Sequence, residues 1–200
     1  GSFAVLDALA TLGFDYPPRA AFFRSELTQF LLLAREEGKD PAELLGSYAG
    51  AMGYGQFISS SYRHYAVDFD DDGVRDIWLN PVDAIGSIAN YFAEHNWRAG
   101  ELVARNLNVS AADVQPWLTT GLKLPHTVAQ LAASGLPVSD LPADAKVALY
   151  SMDAQDADEF WLGLHNFYVI TRYNRSHMYA LAVHQLSQEI KRRYNLLEMQ

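Results

Sequence analysis

The 200-residue sequence contains no cysteine. Disulfides and thiolate metal sites are thereby excluded, although the absence is neutral about compartment. No apolar run approaches the roughly 20 residues that a membrane-spanning helix needs. Basic residues are scarce beside acidic ones: 15 Lys and Arg against 24 Asp and Glu give a formal net charge of −9. The broad basic footprint of a nucleic-acid binder is therefore missing, and no nucleic-acid partner is expected. The sequence has no internal repeat and no low-complexity tract. Its one glycine-rich block is not followed by the Lys-Ser/Thr of a phosphate loop, and Ser47 within that block lacks the pattern of a nucleophile elbow. The six histidines show no paired ligand spacing apart from His177 and His184, seven apart, and read as ordinary surface or core residues. Only 20% of residues are charged while 50% are hydrophobic, a balance suited to a well-buried core in one large domain or one domain with an insertion.

Helical periodicity dominates both ends of the chain. Val5, Leu6, Leu9 and Leu12 predict a helix over residues 3–12 with Gly13 as its stop. Pro17 and Pro18 start a longer one over 18–37, with Phe23, Leu27, Phe30, Leu31 and Ala34 inward and Gly38 at its end. Short helices are expected over 41–45 and over Ser59–Tyr65. Asn80 is placed to cap a helix that begins at Pro81, runs to about Asn96, and buries Val82, Ile85, Ile88, Ala89 and Phe92. Periodicity weakens over 101–165, prolines recur, and Lys146–Ser151 and Phe160–Leu164 read as strands, so this stretch is expected to be a small β-containing insertion. It would divide a core of residues 1–100 and 166–200, the latter made of a closing strand or loop and a last helix from near Ser176 to about Arg193. That helix would turn Met178, Leu181, Ala182, Leu186 and Ile190 inward. The expected class is mainly α, with a small β component.

Two dense segments stand out. In Gly46-Ser47-Tyr48-Ala49-Gly50-Ala51-Met52-Gly53-Tyr54-Gly55-Gln56-Phe57, glycines alternate with aromatics and no residue is charged. An ordinary flexible loop is the simpler account, but glycine at this density also lets a backbone approach a ligand closely. Soon after comes Asp68-Phe69-Asp70-Asp71-Asp72-Gly73. Its alternating Asp68, Asp70 and Asp72, the following Gly73 and the carbonyl of Val74 match the first half of an EF-hand calcium loop. The closing Glu of that loop is replaced by Leu79, and the next acid at the head of a helix is Asp83. Asp83 could equally form a capping box with Asn80, and the aspartates a solvated turn.

Leu6-Asp7-Ala8-Leu9-Ala10-Thr11-Leu12, the glycine block, the acidic loop with Asn80-Pro81-Val82-Asp83-Ala84-Ile85-Gly86-Ser87, and Ile170-Thr171-Arg172-Tyr173-Asn174 together resemble the B-type lytic murein transglycosylases, in order and over nearly the whole chain. The resemblance implies a lysozyme-like helical core with a calcium loop, peptidoglycan as substrate, and a periplasmic enzyme, soluble or anchored as an outer-membrane lipoprotein. It implies Ser47, Gln56, Tyr91, Tyr173, Asn174 and Tyr179 as sugar-contacting residues, with Ser47 also supporting the acid. It implies Asp68, Asp70, Asp72, the Val74 carbonyl and Asp83 as ligands of a structural Ca²⁺ that Na⁺ could replace. In that chemistry one Glu protonates the glycosidic oxygen and then deprotonates the muramoyl 6-hydroxyl, which closes on C1.

The family's acid belongs to a Gly-Val-Glu-Thr type segment ahead of the Leu-Asp-Ala-Leu stretch. Here that stretch begins at Leu6, and no Glu of the chain matches. The acid is expected to lie before Gly1, the opening Gly1-Ser2 reads as a cut start, and these residues by themselves are expected to be inactive. Glu36, Glu37 and Glu43 fall on a charged helix end and its turn. A non-catalytic glycan-binding module is the alternative. A calcium-binding interaction domain would call for a second EF-hand, which the sequence lacks. The chain is expected to act as a monomer on glycan strands.

Overall fold

The computed structural model describes residues 1–155 and 157–198. The chain forms two compact units, Gly1–Tyr91 and Phe92–Gln200. The first is helical. A two-residue strand β1 (Phe3–Ala4) leads into α1 (Val5–Phe14) and pairs with β2 (Leu45–Gly46), Phe3 opposite Gly46. A 3-10 turn at Pro17–Arg19 joins α1 to α2 (Ala20–Glu36). Gly13 does not stop α1. The helix passes through it, and its carbonyl accepts from Arg24 at 2.8 Å where α1 meets α2. Residues 41–43 are a turn rather than the expected helix, because the Asp40 carboxylate accepts the Ala42 amide at 2.8 Å and closes the chain locally. α3 (Ser59–Tyr65) forms where the sequence places it.

The inward face of α2 is Phe23, Glu26, Phe30, Leu33 and Ala34, while Leu31 is exposed. A carboxylate therefore takes a place in the expected apolar stripe. Glu26 is buried because its Oε2 accepts the Ser60 amide at 2.9 Å, giving the first turn of α3 an acceptor for an otherwise open N–H. α4 (Pro81–Glu94) begins as expected, with Asn80 Oδ1 accepting the Val82 amide at 2.9 Å. Its first turns are rotated away from the expected face, while Ile88 and Phe92 further along are half-buried, Phe92 against the sheet-side core of the second unit. Val82 and Ile85 are exposed, and the buried side is Asp83, Ala84, Gly86, Ser87 and Tyr91. The reason is the acidic loop, whose amides need acceptors and whose Phe69 needs room. A methyl group on Gly86 would lie 2.3 Å from the Phe69 ring.

The second unit holds an antiparallel sheet in the order β3-β6-β5-β4, built from β3 (Ala104–Leu107), β4 (His126–Thr127), β5 (Lys146–Met152) and β6 (Glu159–Gly163). Leu149 faces Leu162 and Ala148 faces Gly163 across the central pair. Alternate residues of β5 serve two cores, which is why its sequence is nearly continuously apolar. Val147 and Leu149 pack with Val114, in α5 (Ala111–Val114), and with Val128 and Leu131 of α6 (Val128–Ala133). Ala148, Tyr150 and Met152 pack with Phe167 and Ile170 of α7 (His165–Tyr173) and with Ala180 and Leu181 of α8 (His177–Glu198). Residues 165–173 are thus helix and not a closing strand or loop. On α8, Ala180, Leu181 and His184 are buried, whereas Met178, Leu186 and Ile190 are exposed. Only its first turns lie on the sheet-side core, so the apolar pattern further along has nothing to cover among the described residues.

Tyr150 sits in that core with its hydroxyl buried and without a hydrogen-bond partner, and burial pushes its ionisation up to about 12. Removing an unsatisfied buried hydroxyl removes a desolvation cost. Tyr150→Phe is therefore expected to leave stability unchanged or raise it by about 1 kcal/mol, read from urea unfolding at neutral pH. A loss of more than 1 kcal/mol on that scale would mean the hydroxyl has a partner.

Candidate functional site

The glycine block folds back on itself. Met52 bridges both Gly46 and Phe57, and Ser47 exchanges backbone bonds with Ala51 and Gly50. The Ser47 hydroxyl accepts the amides of Ala49 (3.3 Å) and Ala51 (3.1 Å), so it shapes the loop from within. Gln56 stands at a positive φ of 51° and its Nε2 donates to the Gly53 carbonyl at 2.9 Å. Gly53 itself has φ +65°, and its position lies against the Ile77 backbone, which also receives the Tyr54 amide at 2.9 Å. The glycines therefore allow close approach to the protein's own chain. Met52 and Phe57 are buried, while Tyr48 and Tyr54 project into solvent, 72% and 65% exposed. These exposed rings, which the sequence reading passed over, are the aromatic surface of the block. Tyr91 closes the inner side, 4.6 Å from the Tyr65 ring and 6.1 Å from Phe57.

In the second unit Tyr173 ends α7 and its ring lies 5.9 Å from Phe92. Asn174 is the exposed C-cap of the same helix, its amide bonded to the Ile170 carbonyl. Tyr179 is half-buried on α8 beside the sheet-side core, and desolvation holds its hydroxyl above the ordinary tyrosine value. Ser47, Gln56 and Tyr91 thus belong to the first unit, and Tyr173, Asn174 and Tyr179 to the second.

The acidic loop is organised by Asp83. This carboxylate is completely buried, and it accepts the Phe69 amide at 2.7 Å through Oδ1 and the Asp76 amide at 2.8 Å through Oδ2. The Asp76 amide, opposed by desolvation and helped by those of Phe69 and Asp70, holds the carboxyl below its usual range. Asp68, Asp70 and Asp83 each bring a carboxylate oxygen within 4.8 Å of the others. Asp72 is not in that group. Its Oδ1 accepts the Val74 amide at 2.8 Å, and its own amide donates to Asp68. Asp70 also accepts from Asn80 Nδ2 at 2.9 Å. Three carboxylates this close repel one another unless a cation neutralises them, and an all-oxygen set suits a hard divalent ion. The donor chemistry therefore fits Ca²⁺.

Sequence reasoning missed several supports of this loop. Ser87 Oγ accepts the Val67 amide at 3.0 Å, Asn90 Nδ2 donates to the Tyr65 carbonyl at 3.0 Å, and Asp76 Oδ1 accepts the Trp78 amide at 2.8 Å. Asp83, Ser87 and Asn90 recur at helical spacing, a polar stripe that signals a helix covering backbone rather than apolar core. Two of the nearby glutamates, Glu36 and Glu37, are paired with arginines. Arg63 binds Glu36 at 2.7 Å and draws its carboxyl below the ordinary value; Arg75 pairs with Glu37. A proton donor needs the opposite shift.

Residues 1–188 match the family model described as Transglycosylase SLT domain. The chain is 51% identical over 191 residues to membrane-bound lytic murein transglycosylase B of Escherichia coli (strain K12), covering 95% of this chain and 52% of that protein. The chain thus spans about half the length of that curated relative. It is 52% identical to the crystal structure of the soluble lytic transglycosylase SltB1 from Pseudomonas aeruginosa, with a TM-score of 0.92, covering 98% of this chain and 65% of that one. Against the Escherichia coli lytic transglycosylase Slt35 in complex with calcium the identity is 48% and the TM-score 0.85, covering 100% and 62%.

Proposed function

The chain belongs to the Transglycosylase SLT domain family, and from that premise we propose that it forms the glycan-holding part of a peptidoglycan lytic transglycosylase. The reaction is cleavage of the β-1,4 bond between N-acetylmuramic acid and N-acetylglucosamine, leaving a 1,6-anhydromuramoyl end, in the periplasm and by a monomer. The carrying observation is sequence similarity at half-identity over nearly the whole chain. Among the described residues, no helix is long and apolar enough to cross a membrane.

The acid that protonates the leaving oxygen is proposed to come from outside these residues. Glu36 and Glu37 are paired with arginines, and Glu26 is committed to the α3 amide. Sugar contact is proposed for Ser47, Gln56 and Tyr91 within the first unit and, separately, for Tyr173, Asn174 and Tyr179 within the second. The Gln56 side chain, anchored through Nε2 to Gly53, has an amide oxygen that can accept from a hydroxyl or acetamido N–H. Flat apolar faces for the pyranose are offered by the exposed rings of Tyr48 and Tyr54, whereas the Tyr91 ring is buried against Tyr65 and Phe57. Ser47 holds its loop in shape so that the acid meets a fixed surface. The helical core is proposed to comprise 1–100 and 166–200, interrupted by 101–165.

Asp68, Asp70 and Asp83 would hold Ca²⁺, or Na⁺ in its place, with Asp72 and the Val74 carbonyl as further donors. Bound there, the ion supplies charge neutralisation and no chemistry of the reaction. Affinity on the order of 10⁻⁴–10⁻³ M is expected for such an extracellular site. Millimolar calcium should then raise the melting temperature and chelator lower it. A melting point indifferent to both would reject the metal.

Mass spectrometry of digested peptidoglycan tests the function. These 200 residues should bind glycan fragments weakly and release no anhydromuropeptides. A chain that also carries the Gly-Val-Glu segment should release them, and a Glu→Gln change there should abolish release. Products that have gained water would show hydrolysis instead. If the longer chain is inert and still binds glycan, the binding-module reading stands in its place.

A further inference from the structure

The second unit contains a cavity of about 680 Å³ between the 118–126 segment and the end of α7. Its charged lining is Lys123, Arg172 and Arg175, with no Asp or Glu. That is notable in a chain whose acids outnumber its Lys and Arg 24 to 15. The segment is anchored: Thr119 donates its amide to the Leu149 carbonyl at 2.7 Å, and His126 Nε2 meets the Trp117 carbonyl at 3.0 Å. The hydroxyl of Thr119, which lines the cavity, is buried and lacks a hydrogen-bond partner in the structure. Apolar walls come from residues such as Leu118 and Leu122. The size falls within the roughly 300–1,000 Å³ of ligand pockets, which combine an apolar lining with a few convergent polar groups.

We propose that this cavity binds the free carboxylates of a short peptide, the stem borne by the glycan on which the protein acts. The assignment rests on the transglycosylase reading for the peptide's source. Arginine engages a carboxylate through two parallel N–H bonds, lysine adds a point charge, and the Thr119 hydroxyl supplies a neutral donor. The cavity thereby makes the protein sensitive to how many stem carboxylates are free. Arg172, in the last turn of α7, also complements the helix's C-terminal dipole, so a role in stability alone is the competing account.

Titration calorimetry at low salt decides, using the peptide L-Ala-γ-D-Glu-L-Lys with free carboxylates, the same peptide amidated, inorganic phosphate, and a peptide-free GlcNAc–MurNAc disaccharide. The free peptide should bind about tenfold or more tightly than the amidated one, consistent with the strength of charge-assisted bonds. Lys123→Gln/Arg175→Gln, which leaves Arg172 in place, should shrink that difference several-fold and leave disaccharide binding unchanged. Both side chains are exposed, and Arg175→Lys, which keeps the charge, should restore part of the preference when paired with wild-type Lys123. The proposal fails if amidation makes no difference, if the double variant keeps the difference undiminished, if phosphate binds as tightly as the peptide, or if the variant only melts lower. Peptide binding without disaccharide binding would keep the cavity and remove the glycan reading; disaccharide binding without peptide binding would do the reverse.

Discussion

Asp83→Ala is expected to cost about 3–5 kcal/mol of folding stability, since each bond to a charged buried acceptor contributes about 1.5–3 kcal/mol. The carboxylate has no exposed surface and accepts the amides of Phe69 and Asp76 from opposite ends of the acidic loop. Alanine would strand both donors. Asp83→Asn should lose more than half as much, because the amide keeps one acceptor oxygen and turns an NH₂ towards the other N–H. The effect depends on pH with a definite sign. The folded-state value lies below the ordinary 3.8, so the native loop favours the charged form. The stabilisation is complete above the unfolded value and disappears as pH falls through the folded one. Urea unfolding with chelator present, at neutral pH and near pH 3, should show the gap between wild type and Asp83→Asn shrinking in acid. A gap independent of pH, or a loss under 1 kcal/mol on the same scale, would contradict the role given to Asp83.

Gly53→Ala should be nearly as damaging, by about 3 kcal/mol or more. The left-handed conformation alone costs a residue with a Cβ about 1–2 kcal/mol. Here the added atom would also sit 2.5 Å from the Ile77 carbonyl oxygen, a backbone atom that cannot rotate away. Gly38→Ala is the control. It shares a positive φ of 61° but has nothing within 4 Å of the new methyl, so only the conformational cost applies. Equal losses in the two variants would show that the close approach to Ile77 contributes nothing. Because Tyr54 donates to the same carbonyl, Gly53→Ala should also loosen the loop that presents Gln56, and its glycan affinity should fall where that of Gly38→Ala does not.

Local chemistry was legible in the sequence. The N-terminus of α4 at Asn80-Pro81, the short helix α3 and the strands β5 and β6 follow from capping, periodicity and β-branched or aromatic runs, all of which act over a few residues. The acidic loop was equally legible as a cluster of oxygen donors. Of the expected carboxylates, Asp68, Asp70 and Asp83 converge and Asp72 does not. Asp72, at a standard ligand position, bonds the Val74 amide, whereas Asp83, outside the usual loop length, becomes its buried centre.

The sequence by itself determined where α3, α4 and α8 begin, that the chain is mainly helical with a small sheet, and which segments are chemically special, since those properties depend on neighbours along the chain. Only the tertiary structure decided which face each helix buries. Hydrophobic periodicity assigns the apolar side inward, yet α4 turns Ile85 out and Asp83, Ser87 and Gly86 in. Unpaired amides in a neighbouring loop are costlier to bury than an isoleucine is to expose, and where those amides lie is fixed by residues far away in sequence. The same holds for Glu26, drawn into a core position by the amide of Ser60, 34 residues on.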